Sequence, residues 1–169
     1  KIFEQVSNAL QLKIEAQKLC GHLGLYWPLA NEVDLRPLKD FLKIPLALPA
    51  SFKDGHLSYH PWTTKPLIKD SNNIPAPLDD RVLNPKELGL FLIPAIAMDL
   101  NGYRLGYGGG FFDRLRANKE WGSIPAFGVL PEACISLELL PREVWDIPFH
   151  GWITEKGVLD SNEESISGL

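Results

Sequence analysis

The sequence contains very little cysteine: among its 169 residues, only Cys20 and Cys134 carry a thiol. The two lie far apart and form no Cys-x-x-Cys pair, which argues against a zinc site or a dithiol redox centre. Isolated cysteines of proteins in a reducing compartment usually serve as small buried apolar residues. We therefore predict that both are buried structural thiols of a cytoplasmic protein.

The chain also lacks long apolar runs, a secretory signal and an excess of basic charge. No segment reaches the roughly 20 apolar residues that a membrane-spanning helix needs, and the first residues do not match a signal peptide. The formal net charge is −4, whereas nucleic-acid-binding proteins usually carry a basic patch. The sequence therefore predicts no membrane and no nucleic-acid partner, and we expect a monomer that binds small molecules.

The remaining composition is typical of a folded α/β protein with one domain, residues 1–169. The chain is 45% hydrophobic and 22% charged, as in soluble globular proteins of this size. Apolar periodicity predicts helices over residues 1–17, 34–43 and 111–121, and strands over residues 22–28, 44–49, 55–62, 88–97, 124–130 and 150–155. Residues 63–87 are expected to form a long surface connection and residues 158–169 a polar tail. This alternation predicts a three-layer α/β/α sandwich with a largely parallel central sheet.

The segment GYRLGYGGGFFDR, residues 102–114, holds five of the 14 glycines and follows the most apolar strand. A glycine-rich turn between a strand and a helix suits phosphate, because bare backbone brings several N–H groups to one point. The segment matches neither GxxxxGK[ST] nor GxGxxG, and an ordinary flexible turn explains a bare run of glycines equally well. Arg104, which can bond phosphate, and Asp113, which would reach phosphate through Mg²⁺, favour the anion site. Arg114 and Arg116 are interpreted as solvated or structural.

Read with the residues before it, as IPAIAMDLNGYRLGYGGGFFDR, this segment resembles the signature of the 5-formyltetrahydrofolate cyclo-ligase family, also called 5,10-methenyltetrahydrofolate synthetase. YWPLANEVDLRPL, NNIPAP and LPREVWDIPFHGWITEKG are similar to other parts of that family, so the resemblance extends from about residue 20 to residue 157. It implies ATP-dependent conversion of 5-formyltetrahydrofolate to 5,10-methenyltetrahydrofolate, with release of ADP and phosphate. It also implies a fold similar to those of sugar-phosphate isomerases and CoA-transferases, with the glycine turn at the carboxyl end of a central strand.

The resemblance implies a role for each matched residue. The ATP phosphates would be held by Arg104 and by the backbone of Gly106, Tyr107, Gly108, Gly109 and Gly110. Mg²⁺ would be held by Asp113 and Asp146, with Arg104 and Asp113 as catalytic residues, and the folate would bind Glu32, Trp27 and Phe111. Without the family, Glu32 is more simply a surface carboxylate, Asp146 a turn or cap residue, and the two aromatic residues part of the core.

Three departures from the family pattern stand out. The usual Tyr-Tyr pair is Phe111-Phe112, so a ring can still stack on the pterin but a hydroxyl bond is lost. The usual loop glutamate or glutamine is Ala76. A helix rich in Lys and Arg normally reaches the nucleotide, yet no obvious equivalent precedes Lys1. Either that helix was cut off, or the phosphates are less neutralised than is typical.

Two alternatives to this function stay open. One is a different enzyme on a related scaffold, which would not need Asp113 and Asp146 around a metal. The other is a non-catalytic folate- or nucleotide-binding protein, suggested by the missing basic helix. A triad-type mechanism is not expected, because the four histidines lie in dissimilar contexts and are interpreted as structural: His22, His56, His60 and His150.

Overall fold

A computed structural model of the chain describes residues 3, 4, 7, 8, 11, 15 and 19–161. Its strands are β1 (His22–Gly24), β2 (Leu46–Ser51), β3 (Leu57–Pro61), β4 (Ile68–Lys69), β5 (Pro75–Ala76), β6 (Leu88–Pro94), β7 (Ala97–Asp99), β8 (Arg104–Leu105), β9 (Ala126–Val129), β10 (Ile135–Ser136), β11 (Gly151–Thr154) and β12 (Gly157–Asp160). Between residues 19 and 161 its helices are α1 (Leu38–Phe41), α2 (Phe111–Ala117) and α3 (Lys119–Gly122), with 3₁₀ turns at Pro85–Glu87 and Glu132–Cys134.

Seven of these strands form the central sheet, in the order β12-β11-β9-β6-β1-β2-β3. The five inner strands are parallel, and the two edge strands, β3 and β12, are antiparallel to their neighbours. The central position belongs to β6, whose almost continuously buried sequence is typical of a strand that is covered on both faces. The prediction of a largely parallel sheet around this strand is confirmed.

Alternate side chains of the sheet enter two separate hydrophobic clusters. Leu90 and Leu92 of β6 belong to one cluster and Phe91 and Ile93 to the other, as the two-residue repeat of a strand requires. Leu38 of α1 is part of the first cluster, whereas Leu115 of α2 is part of the second. Helices therefore cover both faces, which confirms the three-layer arrangement.

The prediction that β2 ends at Pro49 is wrong, because the strand continues to Ser51. β1 pairs only with the first two residues of β2, Leu46 and Ala47, so Pro49 has a hydrogen-bonding neighbour, β3, on one side alone. Proline lacks an N–H group and is tolerated in such a position. The extra residues matter for the site described below, since Ser51 lies at its wall.

Other element boundaries also differ from those predicted. The helix expected over residues 111–121 is broken at Asn118, whose extended backbone separates α2 from α3 and whose side chain accepts the N–H groups of Glu120 and Trp121. The connection over residues 63–87 is not wholly irregular, because β4 and β5 pair as a short antiparallel hairpin. A membrane-spanning helix is absent from the part of the chain that the structure describes.

The two ends of the chain are described only in part. All six described residues before residue 19 are helical, and the ring of Phe3 lies 6.3 Å from that of Phe41; the other residues of the predicted helix over 1–17 lie outside the described residues. The predicted polar tail is wrong at its start, because β12 pairs with β11. The rest of that tail, residues 162–169, lies outside the described residues.

The prediction of two buried thiols is also wrong. Cys20 is exposed and Cys134 is only half-buried. Both lie outside the central sheet, since Cys20 precedes β1 and Cys134 ends a 3₁₀ turn that leads into β10. Short connecting segments bury less of each side chain than a strand packed between two layers does.

Candidate active site

A cavity of about 300 Å³ lies where three neighbouring parallel strands end. Ser51 ends β2, Pro94 ends β6, and Tyr26 and Trp27 follow β1; all four residues line the cavity. The carboxyl edge of an open α/β sheet is the usual place for ligands in such folds, and this volume is within the range of small-molecule sites.

The cavity brings together most of the site residues that the sequence predicts: Trp27, Glu32, Arg104, Tyr107, Gly109, Gly110 and Phe111. Four predicted residues do not line it. Gly106 and Gly108 belong to the same turn, and Asp113 lies on α2, where it is bonded to Arg104. Asp146 lies in the connection before β11, where its Oδ2 accepts the N–H of Glu143 at 2.7 Å.

Arg104 is fixed at the carboxyl end of the central strand. Its Nη1 donates to the Pro94 carbonyl at 3.0 Å and its Nη2 to Asp113 Oδ1 at 3.2 Å, and its guanidinium lies 5.6 Å from the ring centre of Phe112. The side chain is only 8% exposed, and Nε has no hydrogen-bond partner among the described residues. The cavity therefore has in its wall a cation that is held in place by Pro94 and Asp113.

The sequence suggests that the glycine turn follows the central strand directly, but the structure differs. A hairpin formed by β7 and β8 intervenes, and Asp99 holds it by accepting the N–H groups of Asn101, Tyr103 and Leu140. Because the hairpin folds back, Arg104 of β8 returns to the end of β6. The turn thus reaches the predicted edge of the sheet by a longer path.

Arg114 and Arg116, interpreted as solvated or structural, make defined contacts. Arg114 is exposed, and its Nη2 donates at 2.8 Å both to Gly55 O and to Gly109 O. Arg116 is buried and donates to the carbonyls of Ile147 and Pro148. Burial lowers the pKa of Arg116 to about 10, and the nearby charge of Arg104 acts in the same direction. Arg116 therefore ties α2, which carries Asp113, to the segment that follows Asp146.

Three glycines of the segment have positive φ, Gly102, Gly108 and Gly110, and the first two favour glycine for different reasons. Gly108 has φ 90° with open space around it, whereas Gly102 has φ 82° and a Cβ there would lie 2.5 Å from the Phe149 carbonyl oxygen. Gly102 also accepts the N–H of Phe149 at 2.7 Å. Gly102 thus lets two segments approach closely, while Gly108 provides only the left-handed conformation.

Gly102→Ala is expected to destabilise the protein more than Gly108→Ala. Forcing alanine into the left-handed region costs roughly 1–2 kcal/mol, and both variants share this cost, but only Gly102→Ala adds a backbone clash. Urea unfolding of the two variants measures the difference in the free energy of unfolding. Equal losses in the free energy of unfolding would show that the backbone around residues 102 and 149 makes room for the added Cβ without a cost in stability.

Glu32 and Trp27 line the same cavity as the glycine turn. Glu32 Oε2 accepts the N–H of Leu29 at 2.8 Å, and no described residue donates a hydrogen bond to Oε1. Burial raises the pKa of Glu32 above its usual value, although the bond from Leu29 and the charge of Arg104 oppose the shift. Glu32 is therefore a half-buried carboxylate with an acceptor oxygen to spare.

Sequence reasoning missed a polar part of the cavity wall, formed by Ser51, Asp70 and Asn72. Asp70 Oδ2 accepts from Ser51 N at 2.8 Å and from Ser51 Oγ at 2.6 Å. Asp70 Oδ1 accepts the N–H groups of Asn72 and Ile74. The polar run DSNN before the Ile-Pro loop was the available signal, but only the fold shows that it meets the end of β2.

The remaining candidates have structural surroundings. The ring nitrogens of His22, His56 and His60 bond to other residues of the chain, and no histidine lines the cavity within the described residues. Ala76, which replaces a polar residue of the family, is fully buried in β5.

Within the described part of the chain, no cluster of three His, Cys, Asp or Glu side chains could hold a metal by itself. Any metal here would need further oxygen ligands.

Comparison with known proteins identifies the family of this chain. The model of the 5-formyltetrahydrofolate cyclo-ligase family matches residues 39–155. The 5-formyltetrahydrofolate cyclo-ligase of Escherichia coli (strain K12) is 34% identical over 138 residues, which cover 76% of this chain and 74% of that protein. The cyclo-ligase of Haemophilus influenzae is 43% identical over 67 residues, covering 40% of this chain and 35% of its own.

Solved structures give the same result for the fold. The 5,10-methenyltetrahydrofolate synthetase of Aquifex aeolicus superposes with a TM-score of 0.75 at 30% identity, covering 95% of this chain and 81% of its own. The synthetase of Mycoplasma pneumoniae, at 21% identity, has a TM-score of 0.71 and covers 91% of this chain and 85% of its own. Since the family model matches well over half of the residues and the E. coli relative covers most of both chains, this chain belongs to the 5-formyltetrahydrofolate cyclo-ligase family.

Proposed function

We propose that this protein converts 5-formyltetrahydrofolate and ATP into 5,10-methenyltetrahydrofolate, ADP and phosphate. Membership of the family supports the reaction. The observation that carries the proposal is that one cavity joins an aromatic and acidic wall, Trp27 and Glu32, to the glycine turn and the buried guanidinium of Arg104. A folate and the phosphates of a nucleotide would therefore meet in one space.

The chemistry requires activation of an amide oxygen. The formyl group on N5 is an amide, so its carbon is a poor electrophile and its oxygen a poor leaving group. Transfer of the γ-phosphoryl group forms a bond from phosphorus to that oxygen and breaks the bond to ADP. N10 then attacks the formyl carbon, its proton passes to solvent, and the carbon–oxygen bond breaks as phosphate leaves. Positioning and charge stabilisation are what a protein mainly contributes to phosphoryl transfer.

Arg104 would stabilise the charge on the transferring phosphoryl group. Its side chain is held by Pro94 and Asp113, so it would meet the transferring phosphoryl group without first having to be ordered. The backbone of residues 106–110 would hold the other phosphate oxygens, with Tyr107 at the cavity wall. Phe111 and Trp27 would enclose the ring system of the folate.

A magnesium ion would fit beside Asp113. Its side chain is 42% exposed next to Arg104, and an unshielded carboxylate there would repel a polyphosphate. Magnesium takes one or two carboxylates together with phosphate oxygens, which suits a site where the described residues offer no larger cluster of ligands. Asp113, with Asp146 as the second carboxylate, would hold the ion, and the ion would neutralise phosphate charge when bound.

Glu32 would recognise the pterin. The ring carries N–H groups that one carboxylate can pair with two at a time, and such charge-assisted bonds are short and directional. Only Leu29 engages the carboxylate among the described residues, so acceptor capacity remains for a ligand. We assign Glu32 a binding role and not that of a general base.

Glu32→Gln is expected to weaken folate binding and leave nucleotide binding nearly unchanged. Loss of a hydrogen bond to a charged group costs about 1.5–3 kcal/mol, which corresponds to roughly 10- to 100-fold in Kd. Calorimetric titration of both ligands measures the two affinities. Equal losses for folate and nucleotide would show that Glu32 supports the fold instead.

The pH dependence of folate binding gives a second test of the role of Glu32. Because the pKa of Glu32 is raised, its carboxylate takes up a proton at a less acidic pH than an ordinary glutamate. Folate affinity of the wild-type protein should therefore fall as the pH decreases through that raised pKa, whereas the Gln variant should lack this component.

The proposed function is tested by incubating the purified protein with 5-formyltetrahydrofolate, ATP and Mg²⁺ and following the absorbance of the methenyl product. Product that depends on ATP is the expected result. Binding of folate or nucleotide without product would instead support the non-catalytic alternative. If the protein shows neither binding nor product, a different enzyme on this scaffold would be favoured.

A further inference from the structure

The polar wall formed by Ser51, Asp70 and Asn72 has no role in the reaction as described above. It joins the end of β2 to the loop before β5, and all three residues line the cavity. Asn72 Nδ2 donates to Ser51 Oγ at 2.7 Å, and Ser51 Oγ lies 2.6 Å from Asp70 Oδ2. The three side chains therefore form a short chain of hydrogen bonds in the order Asn72, Ser51, Asp70.

The direction of these bonds follows from the chemistry of the carboxylate. Four donors of the chain surround Asp70: the N–H groups of Ser51, Asn72 and Ile74 and the hydroxyl of Ser51. Burial raises the pKa of Asp70, but these bonds outweigh burial and leave the pKa below its usual value. An ionised carboxylate only accepts hydrogen bonds. The Ser51 hydroxyl must therefore donate its proton to Asp70.

The orientation of the Asn72 amide follows in turn. A hydroxyl that has donated its only proton can still accept, so Ser51 Oγ takes a proton from Asn72 Nδ2 and not the reverse. The amide nitrogen of Asn72 is thereby held towards Ser51. Its carbonyl oxygen, Oδ1, receives no hydrogen bond from any described residue and belongs to a side chain at the cavity wall.

We propose that Asn72 is a specificity-determining residue of the folate cavity, whose Oδ1 accepts an N–H group of the bound pterin. Ser51 and Asp70 are positioning residues that fix the amide in the accepting orientation. This inference rests on the proposed function. Asp70 itself is not the ligand-binding group, because its oxygens are already engaged by the chain, whereas Glu32 and Asn72 retain acceptor capacity.

The proposal explains how a wall with few charges would distinguish a pterin. A ring with several N–H groups needs several acceptors, and each acceptor in the cavity wall favours ligands that carry a matching N–H group. Glu32 would supply a charged acceptor and Asn72 a neutral one. Neither depends on the hydroxyls that the Phe111-Phe112 pair lacks.

The test compares Asn72→Leu, Asn72→Asp and Ser51→Ala with Ser71→Ala as a control for the same loop. Asn72→Leu should raise both KM and Kd for 5-formyltetrahydrofolate roughly 3- to 10-fold, the effect of one neutral hydrogen bond, with kcat and KM for ATP unchanged. Asn72→Asp keeps an acceptor but loses the Nδ2 donor to Ser51 Oγ and sets a second carboxylate beside Asp70, so it should also weaken folate binding. Ser51→Ala should move the folate KM in the same direction by less, because the amide can then rotate, and Ser71→Ala should not move it.

Several outcomes would overturn the proposal. One is an unchanged folate KM in Asn72→Leu, and another is a parallel loss for ATP and folate, which indicates a structural role. Wild-type folate affinity in Asn72→Asp would count against it as well, because the orienting bond from Nδ2 to Ser51 Oγ would then be unnecessary. If the proposed function is wrong, the wild-type protein forms no product, a result that is distinct from all of these. The Kd for 5-formyltetrahydrofolate then decides the role of Asn72. Urea unfolding of each variant identifies any that fails to fold.

Discussion

Replacing Arg104 by methionine is expected to lower kcat for methenyl formation by roughly 10²- to 10³-fold, the usual effect of removing one preorganised donor from a developing negative charge. The expectation depends on the buried position of the guanidinium, 8% exposed beside the glycine turn. In a site that excludes water, such a donor interacts more strongly with charge than it would at the surface. Methionine fills a similar volume with apolar atoms, so the packing against Phe112 is largely kept.

The measurement is steady-state turnover at saturating ATP and folate, together with urea unfolding. Arg81→Met provides a control for the loss of an arginine–carboxylate pair, because Arg81 pairs with Glu87 at an exposed position that does not line the cavity. Arg104→Lys should recover part of the rate, since it restores the charge but not the two-pronged geometry. A fall in stability with normal kcat in Arg104→Met would show that Arg104 serves only to join Pro94 to Asp113.

The parts of the molecule that the sequence predicted have strong local signals. The run LGLFLIP is apolar at every position except its glycine, and only a strand covered on both faces buries such a run. The glycine turn and the helix start at Phe111 could likewise be located from adjacent residues. That the glycine turn and Phe111 lie in one cavity with Trp27 and Glu32 was predicted only through the family resemblance, because no local pattern links residues so far apart in the chain.

The parts that were missed depend on contacts between distant segments. Ser51 and Asp70 are 19 residues apart, and each looks like an ordinary turn residue until β2 is seen to continue past Pro49. Arg116 is an unremarkable helix residue in the sequence, yet it donates to a carbonyl 31 residues away. Side-chain bonds of this kind satisfy buried polar groups after the fold has formed, so they leave little trace in periodicity or composition.

The last expectation concerns Asp113. It lies in the first turn of α2, three residues after Gly110, so its carboxylate would face the phosphates as well as Arg104. If it acts through Mg²⁺, Asp113→Asn should lower turnover strongly while the fold stays intact, because asparagine keeps the shape and one oxygen but removes the charge that holds the metal. Excess Mg²⁺ should then recover part of the rate.

Two other roles make different predictions. If Asp113 only favours the start of the helix, its loss costs roughly 0.3–1 kcal/mol of stability, with near-normal turnover and the same response to Mg²⁺. If it only orients Arg104, to which it is bonded at 3.2 Å, Asp113→Asn lowers turnover equally at all Mg²⁺ concentrations. Turnover across a Mg²⁺ titration, with Mn²⁺ binding in the presence of ADP measured by electron paramagnetic resonance, separates the three roles. A parallel pair of titration curves and unchanged Mn²⁺ affinity would refute the metal role, whereas a curve displaced to higher Mg²⁺ with weaker Mn²⁺ binding is the result that we expect.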